Sequence, residues 1–559
     1  MEMVKCCRGL PLAITVLGGL LATRCTEGEW DEVFRHVKSY LHEEDNSRLT
    51  MVMGLSYDDL PFHLKPCFLY LAHFPEDFEI SAKELIRMWM GEGFLSKFQY
   101  GGGRQDTMED VGERYLRELV QRCVVLVGEI GSLGRIKTCR IHDLMRDFCV
   151  SKAQEENFLQ ITNIHSMEVS EAHIDKIRRL AINWDRDDFS AKRDRDDFDP
   201  MLPLMISKKY PYVRSLLYFS YGMRNNVVKS MFKNFRSLRV LNLGNTKPYK
   251  EELPKDIGCL IHLRFLSLKG SHVNNVPSSM GNLRCLQTLD LRYSNFGVRV
   301  PNVFKKMEQL RHLYLPKYYK VYEKLEVGNP CYLQTLVNVC PKKIRLPTSF
   351  TFNRLRVLKV MSYEWDRDII EILNVRSYFE GSPDIIQIVS SCPHIYKLHL
   401  RRVEIKKLPE VHQFSSNLAK LTLHRTFLEE DQMPTLEKLP NLKILRLLSN
   451  AFYGKNMVCS ERGFPQLQSL VLSYLYKLEE WKVEEGAMPS LCHLQIEYCH
   501  KLKTIPDGLR FITTLQELEI KYMPKTFKDR VDKGGEDFCK VQHVPSLLFQ
   551  HCDGDGYRE

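Results

Sequence analysis

Six residues, L-x-x-L-x-[LIV], return at a near-constant interval from residue 238 onward in this 559-residue chain. Clear copies begin at Leu238, Leu263, Leu286 and Leu310, and degenerate ones at Leu333 and Leu355. The pattern resumes at Ile395, Leu418, Leu442, Leu467, Leu491 and Leu515. Successive starts differ by 22 to 25 residues, apart from one step of 40 between Leu355 and Ile395. Earlier copies begin at Val213 and Ile177. Strand alternation turns Leu241 and Leu243 inward and Asn242 outward. One short strand cannot bury its leucines alone, so neighbouring coils must stack into a solenoid.

That period falls in the range of leucine-rich repeats and predicts an α/β solenoid, a horseshoe with its strands on the concave side. Between strands come "ELPKDIGCL", "NVPSSMGNL", "RVPNVFKKM" and "TIPDGLRFI". Proline there ends a loop and sets up a short helical turn on the convex side. The L-x-G-x-I-P form usual in plant extracellular repeats is absent. In each copy the middle x, and the positions two residues to either side of it, face the concave wall. They give Lys269, Arg292, Lys359, Lys397, His399, Arg401, Lys420, His424 and Arg446, with Asp290 as the acidic exception. The last two coils give Glu497, Glu517 and Glu519. A basic middle and an acidic end are expected, and a one-signed concave patch favours an acidic partner surface.

With 44% hydrophobic and 27% charged residues, the chain can bury a sizeable core. Its net charge of +10 is too diffuse over this length to be a nucleic-acid signature. Seventeen cysteines, among them Cys67, Cys123, Cys285 and Cys340, are scattered through apolar segments without a C-x-x-C. They read as reduced, buried thiols rather than a disulfide framework. "GLPLAITVLGGLLA" (9–22) follows Lys5 and Arg8 as a leader would, but no N-x-[ST] sequon follows. The preferred reading is a buried apolar helix. A helix is expected over 30–49, with Trp30, Val33, Phe34, Val37 and Leu41 on one face. A buried helix covers Cys67–Phe74. Another opens at Ser81, with Glu84 completing a capping box. A third spans 107–122, and a hairpin turns at "GSLG". Three helices followed by a hairpin is the order of a winged helix. The candidate recognition helix mixes Glu109, Asp110, Glu113 and Glu118 with Arg114, Arg117 and Arg122, which argues against phosphate binding. "WDRDDFSAKRDRDDFDP" (184–200) reads as a charged loop, and the 40-residue step as an insertion or a decayed repeat.

"GLPLAI" (9–14), "LSYDDLPFHLKPCFLYLAHFPEDFEI" (55–80), "LIRMWMGEGF" (85–94) and "CRIHDLMRDF" (139–148) precede the repeats in that order. Together they resemble the C-terminal two-thirds of plant intracellular nucleotide-binding leucine-rich-repeat (NB-ARC) disease-resistance proteins of the coiled-coil subclass. The resemblance implies that 1–50 ends a helical subdomain and that 51–160 is a winged-helix subdomain. A linker with a first repeat follows over 161–205, then repeats over 206–525 and a tail over 526–559. It further implies that Gly9, Leu10, Pro11 and Leu12 lie beside a nucleotide, with the proline near adenine. His142 and Asp143 would stand where the family's Met-His-Asp motif contacts the ADP β-phosphate, with Ile141 in place of methionine. On the residues alone, Asp143 could equally cap the following helix beside an incidental histidine. Cys139, His142 and Cys149 lack a fourth ligand at metal-site spacing, so no metal is expected.

No G-x-x-x-x-G-K-[ST] occurs, so the chain is expected not to bind ADP or ATP stably by itself, and an N-terminal truncation is inferred. H-E-x-x-H and G-x-S-x-G are also absent, and no enzyme activity is expected. The resemblance implies a cytoplasmic immune receptor segment, peripheral to a membrane or nuclear in some settings. It would sense a pathogen effector or a guarded host protein and restrain an ADP/ATP switch that leads to the hypersensitive response. The alternatives are a binding or decoy module without a switch, and a secreted repeat protein.

Overall fold

The computed structural model describes Cys7, 10–39, 45–96, 106–163, 177–183, 212–219, 225–244, 252–293, 297–327, 331–345, 351–362, 385–403, Ile405 and 407–552. The chain divides into two compact units, Met1–Asn295 and Phe296–Glu559.

In the first unit Pro11 opens the helix Pro11–Leu21, at a position where its missing N–H is no loss. The helix buries Ala13, Val16, Leu17, Leu20 and Leu21, so the apolar run 9–22 is core. A Cβ on Gly19 would lie 2.4 Å from the Arg122 carbonyl oxygen, so two backbones meet there. The next helix, Glu27–Ser39, buries Val33 and Val37 but leaves Trp30 44% exposed. Trp30 therefore does not belong to the expected apolar face. Leu41 lies outside the described residues, and a separate helix, Asp45–Asp58, follows.

Lys65–Leu69 runs into a 3-10 turn, Tyr70–His73, whose residues are all buried. Helices Ala82–Glu92 and Met108–Gln121 follow. Strands Leu126–Val127 and Thr138–Arg140 form the hairpin, in the register Leu126↔Arg140. A third strand, Ile80–Ser81, passed over in the sequence reading, pairs antiparallel with Thr138–Arg140. This is a winged helix. The expected capping box at Ser81 does not form, because its side chain makes no cap bond. The box lies instead at Thr107, whose Oγ1 accepts from Asp110 N while Asp110 accepts from Thr107 N at 3.0 Å. Asp59 joins the parts, accepting from Arg122 at 2.7 Å and pairing with Arg24.

The first unit closes with parallel strands Gln160–Asn163, Arg179–Asn183, Ser215–Phe219, Val240–Asn242, Phe265–Ser267 and Thr288–Asp290. The second unit continues the pattern from His312–Tyr314 through Thr335–Val339, Val357–Met361, Lys397–Arg401, Lys420–His424, Ile444–Leu448, Ser469–Ser473, His493–Glu497 and Glu517–Lys521. Each repeat strand begins two residues after its repeat's first leucine, isoleucine or valine. Leu398, Leu421, Leu445, Leu470, Leu494 and Leu518 stand in one register column, and every one is buried. The 3-10 turns Lys255–Cys259, Ser278–Asn282 and Asp507–Phe511 follow Pro254, Pro277 and Pro506, as the sequence implies.

The stretch read as a tail carries a helix, Lys525–Val531, and one more coil. Its strand, Ser546–Gln550, pairs Leu547 with Leu518. The charged loop 184–200 and residues 363–384 of the long step lie outside the described residues.

Candidate functional site

Helix Ala82–Glu92 is buried around most of its girth, with Leu85, Ile86, Met88, Trp89 and Met90 all enclosed. One side belongs to the winged-helix core. The other meets the first repeats, whose concave positions here are apolar. Ala181, Leu217, Val240 and Phe265 share one hydrophobic cluster with the winged helix. A Cβ on Gly91 would lie 2.7 Å from Val240 Cγ2, so glycine lets the helix sit flush against the strand. Tyr70 Oη and Ser215 Oγ are hydrogen-bonded at 2.7 Å.

The helix ends at Gly93 in the left-handed region, φ +88°. Its last carbonyls face arginines from consecutive repeats. Arg239 donates to Glu92 O at 3.4 Å and Arg264 to Gly91 O at 3.5 Å. Both bonds are long, but cations at a helix C-terminus also meet its negative dipole end. The Glu92 carboxylate is buried and paired with Arg179 at 2.9 Å. Arg179 stacks over Phe158 at 4.0 Å and Phe94 at 4.9 Å. Removing one partner of such a buried pair costs about 3–5 kcal/mol. At the other end of the helix, Glu84 receives Lys269 at 3.0 Å and Arg292 at 3.5 Å.

Those contacts correct the expected concave surface. Lys269 and Arg292 are not open cations, because Glu84 engages both and Arg292 also binds Asp290. Asp290 is buried rather than an exposed acidic exception. The sequence reading missed this dock, though the change at one strand position from Lys397 and Lys420 to Val240 and Phe265 marks it.

Ile141, His142 and Asp143 end the wing. His142 is the backbone N-cap of helix Asp143–Glu155, and Asp143 is its first residue, without a side-chain cap bond. The expected cap by Asp143 is therefore absent, and Asp143 is exposed. His142 is half-buried, and its Nδ1 is buried without a hydrogen-bond partner. An orphaned imidazole nitrogen fits a polar group arriving from outside this chain. Ile141 and Met145 join the same cluster as Val16 and Leu17 of the helix that Pro11 opens. Leu10 and Pro11 are exposed, Leu12 is half-buried, and Gly9 lies outside the described residues.

In the second unit Lys397, His399 and Arg401 are half-buried, alternating with buried Leu398 and Leu400. Glu497, Glu517 and Glu519 also sit at half-buried strand positions. All three have partners. Glu497 accepts from Ser473 at 3.1 Å, Glu517 meets His493 at 3.0 Å, and Glu519 meets Lys521 at 2.7 Å. Each of these carboxylates thus has a polar partner within the chain, and Glu519 a cation. Beyond those strands runs an aromatic column not foreseen from the sequence. Tyr474 stacks on Tyr498 at 4.1 Å, Tyr498 on Tyr522 at 4.5 Å, and Tyr522 on His551 at 4.7 Å. The 24-residue interval between the tyrosines was the signal available for it.

On the winged helix, Arg114 pairs with Asp106 and Arg122 with Asp59 and Glu118. These arginines are thereby taken away from any phosphate. The described cysteines are free thiols, and Cys285 is exposed rather than buried. Among the described residues no helix is long and apolar enough to cross a membrane.

A winged helix whose second helix seals onto the first coils of a parallel-stranded solenoid defines a leucine-rich-repeat protein with an appended winged-helix subdomain. The chain belongs to the leucine-rich-repeat disease-resistance proteins of plants. The family described as "Leucine-rich repeat region" matches residues 212–537, and "Disease resistance protein Winged helix domain" matches 74–149. The chain is 39% identical over 576 residues to "Probable disease resistance RPP8-like protein 2" of Arabidopsis thaliana, covering 99% of this chain and 61% of that protein. Against "Disease resistance protein RPP8" of the same plant it is 39% identical over 582 residues, covering 99% and 61%. The chain therefore spans about three fifths of the length of these curated relatives. Among solved structures, a leucine-rich-repeat protein of Leptospira interrogans aligns at 18% identity with a TM-score of 0.45, covering 71% of this chain and 91% of that one.

Proposed function

We propose that this chain is the sensing and latching part of a plant innate immune receptor. Its repeats recognise a pathogen effector or a guarded host protein, and its winged helix passes that event to an ADP/ATP-dependent switch. The observation that carries the reading is the dock of Ala82–Glu92 on the first repeats. Sensor and switch subdomain share one apolar cluster there, so moving one must strain or break the other. A partner that binds the repeats better in one arrangement would shift the equilibrium by its differential affinity. The nucleotide supplies the two states of the switch. Of this chain's residues, His142 would face its phosphates and Pro11 its base. The chain itself carries out no catalysis, and its setting is the cytoplasm.

The test is capture in trans. A nucleotide-binding core from a relative, co-expressed with this chain in leaves, should co-precipitate with it. It should do so less when Val240 and Phe265 are both replaced by aspartate. No capture by the parent chain would instead favour a binding or decoy module that has no switch.

A further inference from the structure

Four adjacent strands of the second unit, Val357–Met361, Lys397–Arg401, Lys420–His424 and Ile444–Leu448, hold no carboxylate at all. Their register aligns Lys359, His399, Thr422 and Arg446 in one row. Lys397 and Lys420 pair in the row to one side, and Arg401 and His424 in the row to the other. The array spans three strand intervals, roughly 14 Å at ~4.8 Å each. Burial and like charge leave polar atoms stranded in it. Arg401 Nε, Arg446 Nε, His399 Nε2 and His424 Nδ1 are all buried without a hydrogen-bond partner. Among the described residues neither Arg401 nor Arg446 forms a salt bridge. A buried polar nitrogen with no partner is costly, and four in one patch point to a group supplied from outside.

We propose that this concave wall docks an acidic polypeptide segment of a partner protein, with its carboxylates set along His399, Arg401, His424 and Arg446. The proposal rests on the reading that the repeats recognise a partner, and it names that partner's chemistry. A single small anion spans too little of the array to satisfy all four nitrogens. Guanidinium forks match carboxylates in bidentate fashion. The Glu497, Glu517 and Glu519 end lies on other strands, His493–Glu497 and Glu517–Lys521, so its carboxylates are not part of the array.

The histidines add a signature. Burial, then Lys359, His424, Arg401 and Lys397, pushes His399 down to about 3. Burial, then Arg401 and Arg425, with Arg402 a lesser cause, pushes His424 down to about 4. Lys420 and Arg446, from the remaining strands, add positive charge and no carboxylate. Both rings are therefore neutral at pH 7 in the free chain. Carboxylates beside them would raise both values, so the complex would hold more protons than the free chain. Binding then tightens as pH falls through the raised values, with the free-chain values of about 3 and about 4 as the lower edge of that window.

The probe is a fluorescent decapeptide of glutamate, titrated onto the full chain by anisotropy. An oligolysine peptide and inorganic tripolyphosphate serve as controls. The expected result is saturable oligoglutamate binding that weakens steeply with salt and tightens at lower pH, with no oligolysine binding. Arg401→Glu with Arg446→Glu should weaken binding at least tenfold while leaving the circular dichroism spectrum unchanged. His399→Phe with His424→Phe should weaken binding and flatten its pH dependence together. Four results would overturn the proposal. Oligoglutamate could fail to bind, or bind the double reversal equally well. Tripolyphosphate could bind where the peptide does not. Binding could appear only after deletion of residues 363–384, which carry Glu364, Asp366, Asp368, Glu371, Glu380 and Asp384; the array's partner would then be this chain itself. The assay needs no nucleotide-binding core, so it stands or falls separately from capture in trans.

Discussion

His73 shows how a single ring can set an acid limit. It is fully buried, its Nδ1–H donates to the Tyr70 carbonyl at 2.8 Å, and its Nε2 has no partner. Burial, against the opposing Tyr70 bond, pushes it down to about 3 from the ordinary 6.5. The unfolded chain therefore binds a proton that the folded chain refuses. The stability this group contributes is whole above pH 6.5 and is lost as pH falls towards 3. The slope is about 1.4 kcal/mol per pH unit for one such group. His399 and His424 act in the same direction. Urea midpoints measured between pH 7 and 4.5 should fall for the parent chain. They should fall less steeply, by about one proton, for His73→Phe. An unchanged slope would mean that His73 is protonated without penalty.

Gly91 tests the dock at the level of the element. Alanine in a helix interior is ordinarily better than glycine by about 1 kcal/mol. Here the added methyl would meet Val240 Cγ2 at 2.7 Å, on a stiff β-branched side chain that is itself fully buried. Overpacking costs about 1–3 kcal/mol, so Gly91→Ala is expected to destabilise despite its helix propensity. Hydrogen exchange should rise in Ala82–Glu92, Val240–Asn242 and Phe265–Ser267 together; a rise confined to the helix would count against a shared interface. The strands themselves were legible because their leucines obey a period that only stacking can satisfy. Strand positions, proline-led turns and the winged-helix order could be read one segment at a time. The dock joins residues 82–92 to residues 240–265, and no local pattern announces a pairing that distant. The same remoteness hid Glu84. Its spacing from Ser81 suggested a cap, but two cations from the repeats won its carboxylate. His142 was found through neighbouring motifs, whereas its stranded nitrogen emerges only from the packing around it.

For the molecule as a whole, the open ends of a solenoid decide where it begins to come apart, because each coil is held only by its neighbours. The last coil is closed by a buried carboxylate. Asp537 is 2% exposed, takes Arg530 at 3.1 Å and Lys540 at 2.8 Å, and Lys540 reaches on to Asp507 at 2.8 Å. Asp537→Ala leaves Arg530 to Glu536 and Lys540 to Asp507, and removes the buried carboxylate that joins them. The end coil should lose stability locally. Limited proteolysis of that variant should nick the segment 525–552 first, while 385–450 stays protected; simultaneous loss of both would show that the end coil is not a separate cap. The aromatic column next to that cap bears on how such a chain can change length over generations. Tyr474, Tyr498, Tyr522 and His551 all hold the same left-handed backbone turn, φ 49–55°. The three tyrosines sit 24 residues apart. Recombination that removes or duplicates one 24-residue module leaves every surviving ring facing an equivalent neighbour. A shift of one or two residues misaligns the whole stack. The column thus acts as a reading frame in space. It tolerates copy-number change in whole coils and penalises anything less, so the concave wall beside it can diversify by gaining and losing complete repeats.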